Sequence, residues 1–432
     1  MRPRSKPDGV ETCIPRGESW SAGARIAFRF GFLYLGLYSL ATQIVGSLLL
    51  IPGVSFRGLG WLWPMREITM WIGRHIFHIT SPLIYSGNSR DTDFYWIQMM
   101  WILGVAVLAT VAWSAIDRSR QHYVSLHKWF RVFIRLGLAS QMFEYGMTKI
   151  IPTQFPAPSL ITLMTRIGNL PLQGLLWTSV GAAPSYEMFT GIAELLGGML
   201  LLVPRTTTLG ALICLADLTQ VFVLNMTYDI GVKQISFHLI LLTLFLLAPD
   251  LRRLAAFFSG RRTTPSAHPT LFHTAKANRI AVVAQIVLGV YLLAVQTDVN
   301  WVYWHLDGGG RSKSALYGVW DVEQLAINGE VRPAALNDYD RRWRRVLFDT
   351  PEDIAFQRTD DSFARYGASI DPNAKAIVFT KGNSQTWKSR FTFERRAEDR
   401  LELDGEMDGY RIHARLKRVE FDTFRLLNSS FR

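Results

Sequence analysis

Long windows between Phe30 and Gln296 are almost free of charge, while the chain after Asn300 is dense in Arg, Asp and Glu. That division constrains the fold more than any other feature. An apolar run of about 20 residues matches the length of an α-helix across a bilayer, and a soluble domain has no use for several in succession. The whole chain is 19% charged, against about 25% for a soluble domain. A disordered chain, a collagen, a coiled coil and a single soluble enzyme domain are thereby excluded. What remains is an integral membrane protein with a soluble C-terminal domain.

Residues 1–25 are polar and basic, a cytoplasmic arm without the short apolar core and A-x-A site of a cleaved signal. Residues 26–298 form the membrane domain. Seven spans are expected: Ile26–Leu50, Tyr95–Ile116, Val132–Ile151, Pro184–Val203, Thr207–Met226, Val232–Leu247 and Ile280–Gln296. Most stop at Pro, Gly or charge, the signals that end a helix. Between the first two, Gly58–Thr80 is rich in Trp but carries Arg66, Arg74 and His75. It is too polar to cross and reads as an interfacial or re-entrant helix with Trp61, Trp63 and Trp71 at head-group depth.

The net charge is +12, and the tail after Asn300 nearly balances itself. The excess sits in short clusters beside the apolar runs: Arg25 and Arg29, Arg118 to Arg131, Arg205, and the loop from Arg252 to Arg279. All fall on one side of a seven-span bundle, which the positive-inside rule makes the cytoplasm. The expected location is the cytoplasmic (inner) membrane, multi-pass, with the C-terminal domain periplasmic or extracellular. Membrane lipid is then a partner, and a periplasmic redox or protein partner is open to the tail. No basic stripe with interleaved aromatics marks a nucleic-acid surface. Cys13 and Cys214 have no local partner, so thiol redox chemistry is not indicated.

Residues 311–432 follow Gly308-Gly309-Gly310, read as a flexible link. Alternating segments at Gly318–Val322, Ala376–Phe379, Arg390–Phe393, Leu401–Leu403, Tyr410–Leu416 and Thr423–Leu426 predict half-buried strands. Asn328-Gly329 and Asp408-Gly409 predict hairpin turns. The expectation is a small antiparallel β-barrel or sandwich. Gly318-x-Trp320 resembles the G-x-W opening of lipocalin-like barrels.

Ionisable groups inside apolar helices are costly, about 2.5–3.5 kcal/mol at mid-helix, and usually face a bundle interior. The third predicted span carries Gln141, Glu144 and Lys149; the fourth, Glu187 and Glu194, two helical turns apart and so on one face. Asp217 and Gln220 lie on the fifth. The turn Tyr228-Asp229-Ile230-Gly231-Val232-Lys233 leads to the sixth, with Gln234 and His238. Packed as a bundle, these groups converge on one polar pocket, with Gly191, Ala193, Gly197 and Gly198 permitting close helix approach. Glu187, Lys149, Asp229 and Lys233, near helix ends, are equally consistent with simple interfacial pairing. His75 and His78 have no third ligand nearby, so no metal site is expected.

The segment Arg131–Leu254 resembles the DoxX-like membrane family. The match rests on Glu144-Tyr-Gly-Met-Thr-Lys149, Gln154-Phe-Pro-Ala-Pro158, Gly191-Ile-Ala-Glu194-Leu-Leu-Gly197-Gly198 running to Arg205, Leu209-Gly-Ala211 and the Tyr228–Lys233 turn. The resemblance implies a four-helix membrane core over 131–254, in some members linked to quinol oxidase or thiosulfate:quinone oxidoreductase complexes. It carries over Lys149, Glu194 and Gly197 as core positions. More distantly, the layout is similar to vitamin K-dependent carboxylase-type membrane domains. The extra spans and the β tail depart from the smaller DoxX-like members.

Two functional expectations follow. The first is a quinone-linked oxidoreductase, or a subunit of a membrane redox complex, with a quinone in the bundle. There His238, Lys149, Gln141 and Tyr228 donate hydrogen bonds, Glu194 and Asp217 relay protons, and Glu144, Glu187, Gln220, Asp229 and Lys233 complete the ligand-binding set. The second is a non-catalytic scaffold or carrier whose buried charges pair structurally and whose β domain binds a partner.

Overall fold

The computed structural model describes residues 20–54, 56–84, 91–263, 270–335, 338, 342–382 and 384–427, without the side chains of 384–386. Most of the polar N-terminal arm, and Cys13 with it, lies outside the described residues.

Helix α1 (Ala22–Ala41) opens on Ser21, whose hydroxyl accepts from the Ala24 amide. The predicted continuous helix to Leu50 does not form. Thr42 adopts an extended backbone that separates α1 from α2 (Gln43–Leu48). The break is packed: the Thr42 hydroxyl donates to the Tyr38 carbonyl at 2.9 Å, and a Cβ at Gly58 would collide with the Thr42 carbonyl. Its consequence is to turn Gln43 and Ser47 toward the bundle centre. Helix α3 (Met65–His75) forms within the stretch expected to lie at the membrane interface, and Trp61, Trp63 and Trp71 are exposed.

The bundle is completed by α4 (Asp93–Ile116), α5 (Val124–Ile150), α8 (Pro184–Leu202), α9 (Thr207–Thr227), α10 (Lys233–Leu247), α11 (Leu251–Phe258) and α12 (Ala275–Leu306). Two short helices, α6 (Leu160–Met164) and α7 (Leu172–Gly181), lie between α5 and α8. Among the described residues, four helical stretches are long and apolar enough to cross a membrane: Asp93–Ile116, Thr207–Thr227, Lys233–Phe258 and Ala275–Leu306. They mark the chain as membrane-associated. The other predicted spans correspond to α1, α5 and α8, which carry charge along their length. Much of it is turned inward: Arg29, Arg135, Lys149, Glu187 and Glu194 are all buried.

Helix α8 packs most extensively against α5. A Cβ at Gly191 would stand 2.7 Å from the Gly146 carbonyl oxygen and 2.8 Å from the Lys149 Cβ, so only glycine permits this crossing. At the same end of the bundle, Asp91 caps α10: its carboxylate accepts the Lys233 and Gln234 amides at 2.8 and 3.0 Å. Aromatic residues of α1 and α5, with Leu239, Leu242 and Leu246 of α10, form the helical core.

Helix α12 runs well past its predicted end at Gln296, and Gly308-Gly309-Gly310 is no loose link. The Gly310 amide donates to the Trp304 carbonyl at 3.2 Å, and a Cβ there would collide with the Trp304 ring. The glycines fold the chain back over that indole.

The C-terminal domain is a closed antiparallel barrel of eight strands. They are β1 (Gly318–Ile327), β3 (Trp343–Phe348), β4 (Asp353–Arg358), β5 (Phe363–Asp371), β6 (Ala376–Lys381), β7 (Ser384–Ala397), β8 (Arg400–Met407) and β9 (Tyr410–Arg418). Each pairs with the next, and β1 closes on β9 from Trp320↔Arg418 to Ile327↔Ile412. The short β2 (Glu330–Arg332) folds back on β1 through Asn328-Gly329, and Asp408-Gly409 joins β8 to β9; all four turn residues have positive φ. The predicted Thr423–Leu426 strand is instead two 3-10 turns at Phe421–Thr423 and Arg425–Leu427. Strands β3, β4 and β5 were not among those predicted. The interior is filled: Trp320, Trp343, Phe348, Phe356, Phe379 and Phe391 meet there. Trp320 donates from its indole to the Leu316 carbonyl at 3.0 Å.

Candidate functional site in the helix bundle

A cavity of about 460 Å³ opens between α5, α8, α9 and α10 at the end of the bundle nearest the barrel. Its walls are largely apolar, with Met142, Phe155, Trp177, Leu218, Ile235 and Leu239 among them. Glu144, Lys149, Glu194, Asp217 and Gln220 line it as well, so five of the predicted site residues do come together.

The centre of the polar set is an ion pair. Lys149 Nζ donates to both carboxylate oxygens of Glu194, at 2.6 and 2.7 Å, with both side chains almost fully buried. The glycine contact between α5 and α8 creates this pair, because it brings the two backbones close enough for a lysine at one helix end to reach a glutamate on its neighbour. Asp217 Oδ2 is buried without a hydrogen-bond partner among the described residues. A carboxylate oxygen so placed must hold a proton or meet a donor that enters the cavity.

Glu144 does not orient Lys149. It is hydrogen-bonded by Ser47 of α2 and by Gln141 Nε2 at 3.3 Å. Gln141 lies one layer behind the wall, donating to Ser47 Oγ at 2.7 Å and accepting from Gln43 Nε2 at 2.8 Å. Gln43 also donates to the Tyr145 hydroxyl at 2.7 Å. Glu187 is fully buried behind the roof of the cavity: Oε1 accepts from the Phe155 amide at 3.1 Å, and Oε2 has no partner.

Four predicted residues lie elsewhere. His238 faces away from the cavity, toward α1. Its Nδ1 donates to the Gln234 carbonyl and its Nε2 accepts from Tyr34 OH, both at 2.7 Å. Tyr38 stacks on its ring at 3.6 Å between centroids. Ile235, Ser236 and Leu239 are the α10 positions at the cavity, and the rotation of the helix turns His238, about 100° round from Leu239, onto Tyr34 and Tyr38 of α1 instead. Tyr228, Asp229 and Lys233 sit on the turn outside. Lys233 donates to Asp229 at 2.7 Å, and that contact holds the exposed Asp229 carboxyl below the ordinary carboxylate range. Asp229 and Lys233 pair with each other, and none of the three lines the cavity.

The roof is built from the segment joining α5 to α8, with Phe155 against Trp177 at 4.8 Å between ring centroids. Helix α6, in the middle of that segment, is fastened to the barrel. Leu160 joins Val319, Leu347 and Ala355 in one apolar cluster, and its amide donates to Asp349 Oδ2 at 3.1 Å. Arg311 holds Asp349 at 2.8 Å, and Arg166 pairs with Asp361. The barrel therefore grips the cover of the cavity.

Over 126 residues the chain is 35% identical to the uncharacterized protein YwoB of Bacillus subtilis (strain 168), a match spanning 29% of this chain and 79% of that protein. The chain belongs to the YwoB family. No family model matches the chain, and no solved structure does. The YwoB relationship carries no activity with it, so the site must be judged on its residues. Several wall residues of this YwoB-family chain escaped the sequence reading: Gln43, Gln173, Trp177, Tyr186 and Thr190. For Gln43 a signal existed, a polar residue in an apolar run, the same criterion that singles out Glu194. For the roof there was none, since a loop's direction over a bundle is not written in its periodicity. Among the described residues, no group of three His, Cys, Asp or Glu side chains is placed to hold a metal ion.

Proposed function

We propose that this protein is a seven-span, DoxX-like membrane protein of the cytoplasmic membrane that binds a quinone-type ligand in the bundle cavity and exchanges protons with it, as an oxidoreductase or a subunit of a redox complex. The observation that carries the reading is the meeting of a buried Lys149–Glu194 pair and an unpartnered Asp217 oxygen in one apolar-walled chamber. A volume of about 460 Å³ suits a ring-sized head group. Lys149 Nζ has a third proton to offer a ligand oxygen. Asp217 Oδ2 is the atom at which a proton is held or passed on, and Glu187 Oε2, behind the roof, is a second. The quinone supplies the redox chemistry; the chain binds it, orients it and excludes water. In this reading α1, α5 and α8 span along with the four apolar helical stretches. The basic end then faces the cytoplasm, and the cavity and barrel face outward, where the barrel is open to a periplasmic partner.

The test is extraction of the purified protein for bound quinone, followed by titration of a short-chain quinone in lipid nanodiscs. Asp217→Asn and Glu194→Gln should weaken quinone binding and the proton uptake that accompanies it while the chain stays folded. His238→Ala should leave both intact, because His238 lies outside the cavity. A specific observation favours the second reading, a scaffold or carrier: Lys149 and Glu194 already neutralise one another. Absence of bound quinone, with no response of either carboxyl variant to the probe, decides for it.

A further inference from the structure

The opposite, basic end of the bundle holds a buried positive charge without a counter-charge. Arg135 of α5 is 6% exposed. Its Nη1 donates to Thr207 Oγ1 at 3.1 Å and its Nη2 to Gln285 Oε1, both neutral acceptors. Its Nε is buried with no partner. One turn earlier, half-buried Arg131 donates only to the Leu246 carbonyl, at 3.1 Å. Thr207 is the first residue of α9, so the positive pole of a 21-residue helix is added at the same place.

The acids on the packed elements do not balance this. Helix α5 has none before Glu144, and α12 has none before Asp298. Glu194 of α8 and Asp217 of α9 face the cavity at the far end. Asp250 remains; it lies near enough to act on Arg131 but is hydrogen-bonded by Thr208 at 2.9 Å and Arg253 at 3.4 Å, and Arg135 has no acid of its own. An uncompensated guanidinium in a low-dielectric interior is strongly disfavoured and calls for an anion.

We propose that Arg135, Arg131 and the N-terminus of α9 form a phosphate-binding site, in which a phosphate oxygen takes the place of the Gln285 carbonyl on the guanidinium. Phosphate is the class because a guanidinium fork and helix amides together match its tetrahedral oxygens. The group arrives as a phospholipid head group or as free phosphate, entering past the more exposed Arg131. The site is separate from the cavity and independent of what the cavity binds.

The test uses the full-length protein in phosphatidylcholine nanodiscs, to which either phosphatidylglycerol or inorganic phosphate is added. Native mass spectrometry counts retained anionic lipid, and the thermal midpoint is followed against each titrant. A retained anionic phospholipid, or a midpoint that rises with phosphate, supports the site, and the responding titrant identifies the source. Arg135→Gln should weaken the response about tenfold or more, while the exposed Arg252→Gln leaves it unchanged. If Arg135→Gln fails to fold, Arg131→Gln should weaken binding and Gln285→Leu, which removes the competing acceptor, should strengthen it. The proposal is overturned if neither titrant acts on the wild type, or if the variants bind as the wild type does.

Discussion

Breaking the Lys149–Glu194 pair from one side should cost far more than removing it altogether. At a separation near 2.7 Å and an effective dielectric of about 20, the attraction is worth about 6 kcal/mol before desolvation is counted. Desolvation of two buried charges cancels most of it, which is why a buried pair adds little net stability. Lys149→Met removes the attraction and leaves Glu194 buried without its partner, a loss of about 3–5 kcal/mol. Glu194→Leu strands the ammonium in the same way. The double variant Lys149→Met/Glu194→Leu leaves no charge to bury and should fall within about 1–2 kcal/mol of wild type. The singles would sum to about 6–10 kcal/mol, so the coupling is several kcal/mol. Reversible unfolding of all four proteins in one detergent closes the cycle. Single variants costing under about 1 kcal/mol, as for an exposed pair, or a double variant as damaged as the sum, would refute a desolvated pair.

Gly191→Ala should cost several kcal/mol, since its methyl would press on the Gly146 carbonyl and the Lys149 Cβ; denaturant midpoints check this, and Gly168→Ala, with open space around it, is the control. Leu160→Asp should release the roof from the barrel, seen as faster maleimide labelling of a cysteine placed at Thr190 in a chain otherwise free of cysteine; unchanged labelling would show that the roof holds without the barrel. Asp117 titrates below its ordinary value of 3.8, chiefly because Tyr123 OH donates to it at 2.8 Å. With the folded pKa depressed, the stabilisation is present above the unfolded value and is lost as pH falls through the folded one; Tyr123→Phe should return the carboxyl resonance toward ordinary titration by NMR.

Much of this architecture was legible because it is written in local periodicity and composition. Apolar runs of bilayer length give helices wherever they occur, since nothing but an internal hydrogen-bond ladder satisfies a backbone away from water. Period-two alternation and the two positive-φ turns, Asn328-Gly329 and Asp408-Gly409, announced antiparallel strands. Strands β3 to β5 were harder to see. Strand β5 alternates only from Tyr366 through Ala368 to Ile370, which are partly buried against the barrel core, a short and weakly apolar signal.

The site divides along the same line. The sequence alone identified Glu194 and Asp217 as groups that need a shielded environment, because charge deep in an apolar helix is costly wherever the helix goes, and left Lys149 open between the pocket and an interfacial pairing. Which of them meet was a matter of tertiary structure. The rotation of α10 turned His238 onto Tyr34 and Tyr38 and left Ile235 and Leu239 at the cavity. The break at Thr42 gave Glu144 to Ser47 rather than to Lys149. The docking of Leu160 on the barrel set the cover over the chamber. A residue's cost of burial depends on its own chemistry and short stretch of helix, and one chain therefore reveals it. Its partner depends on how helices distant in sequence rotate and cross, and only packing fixes that.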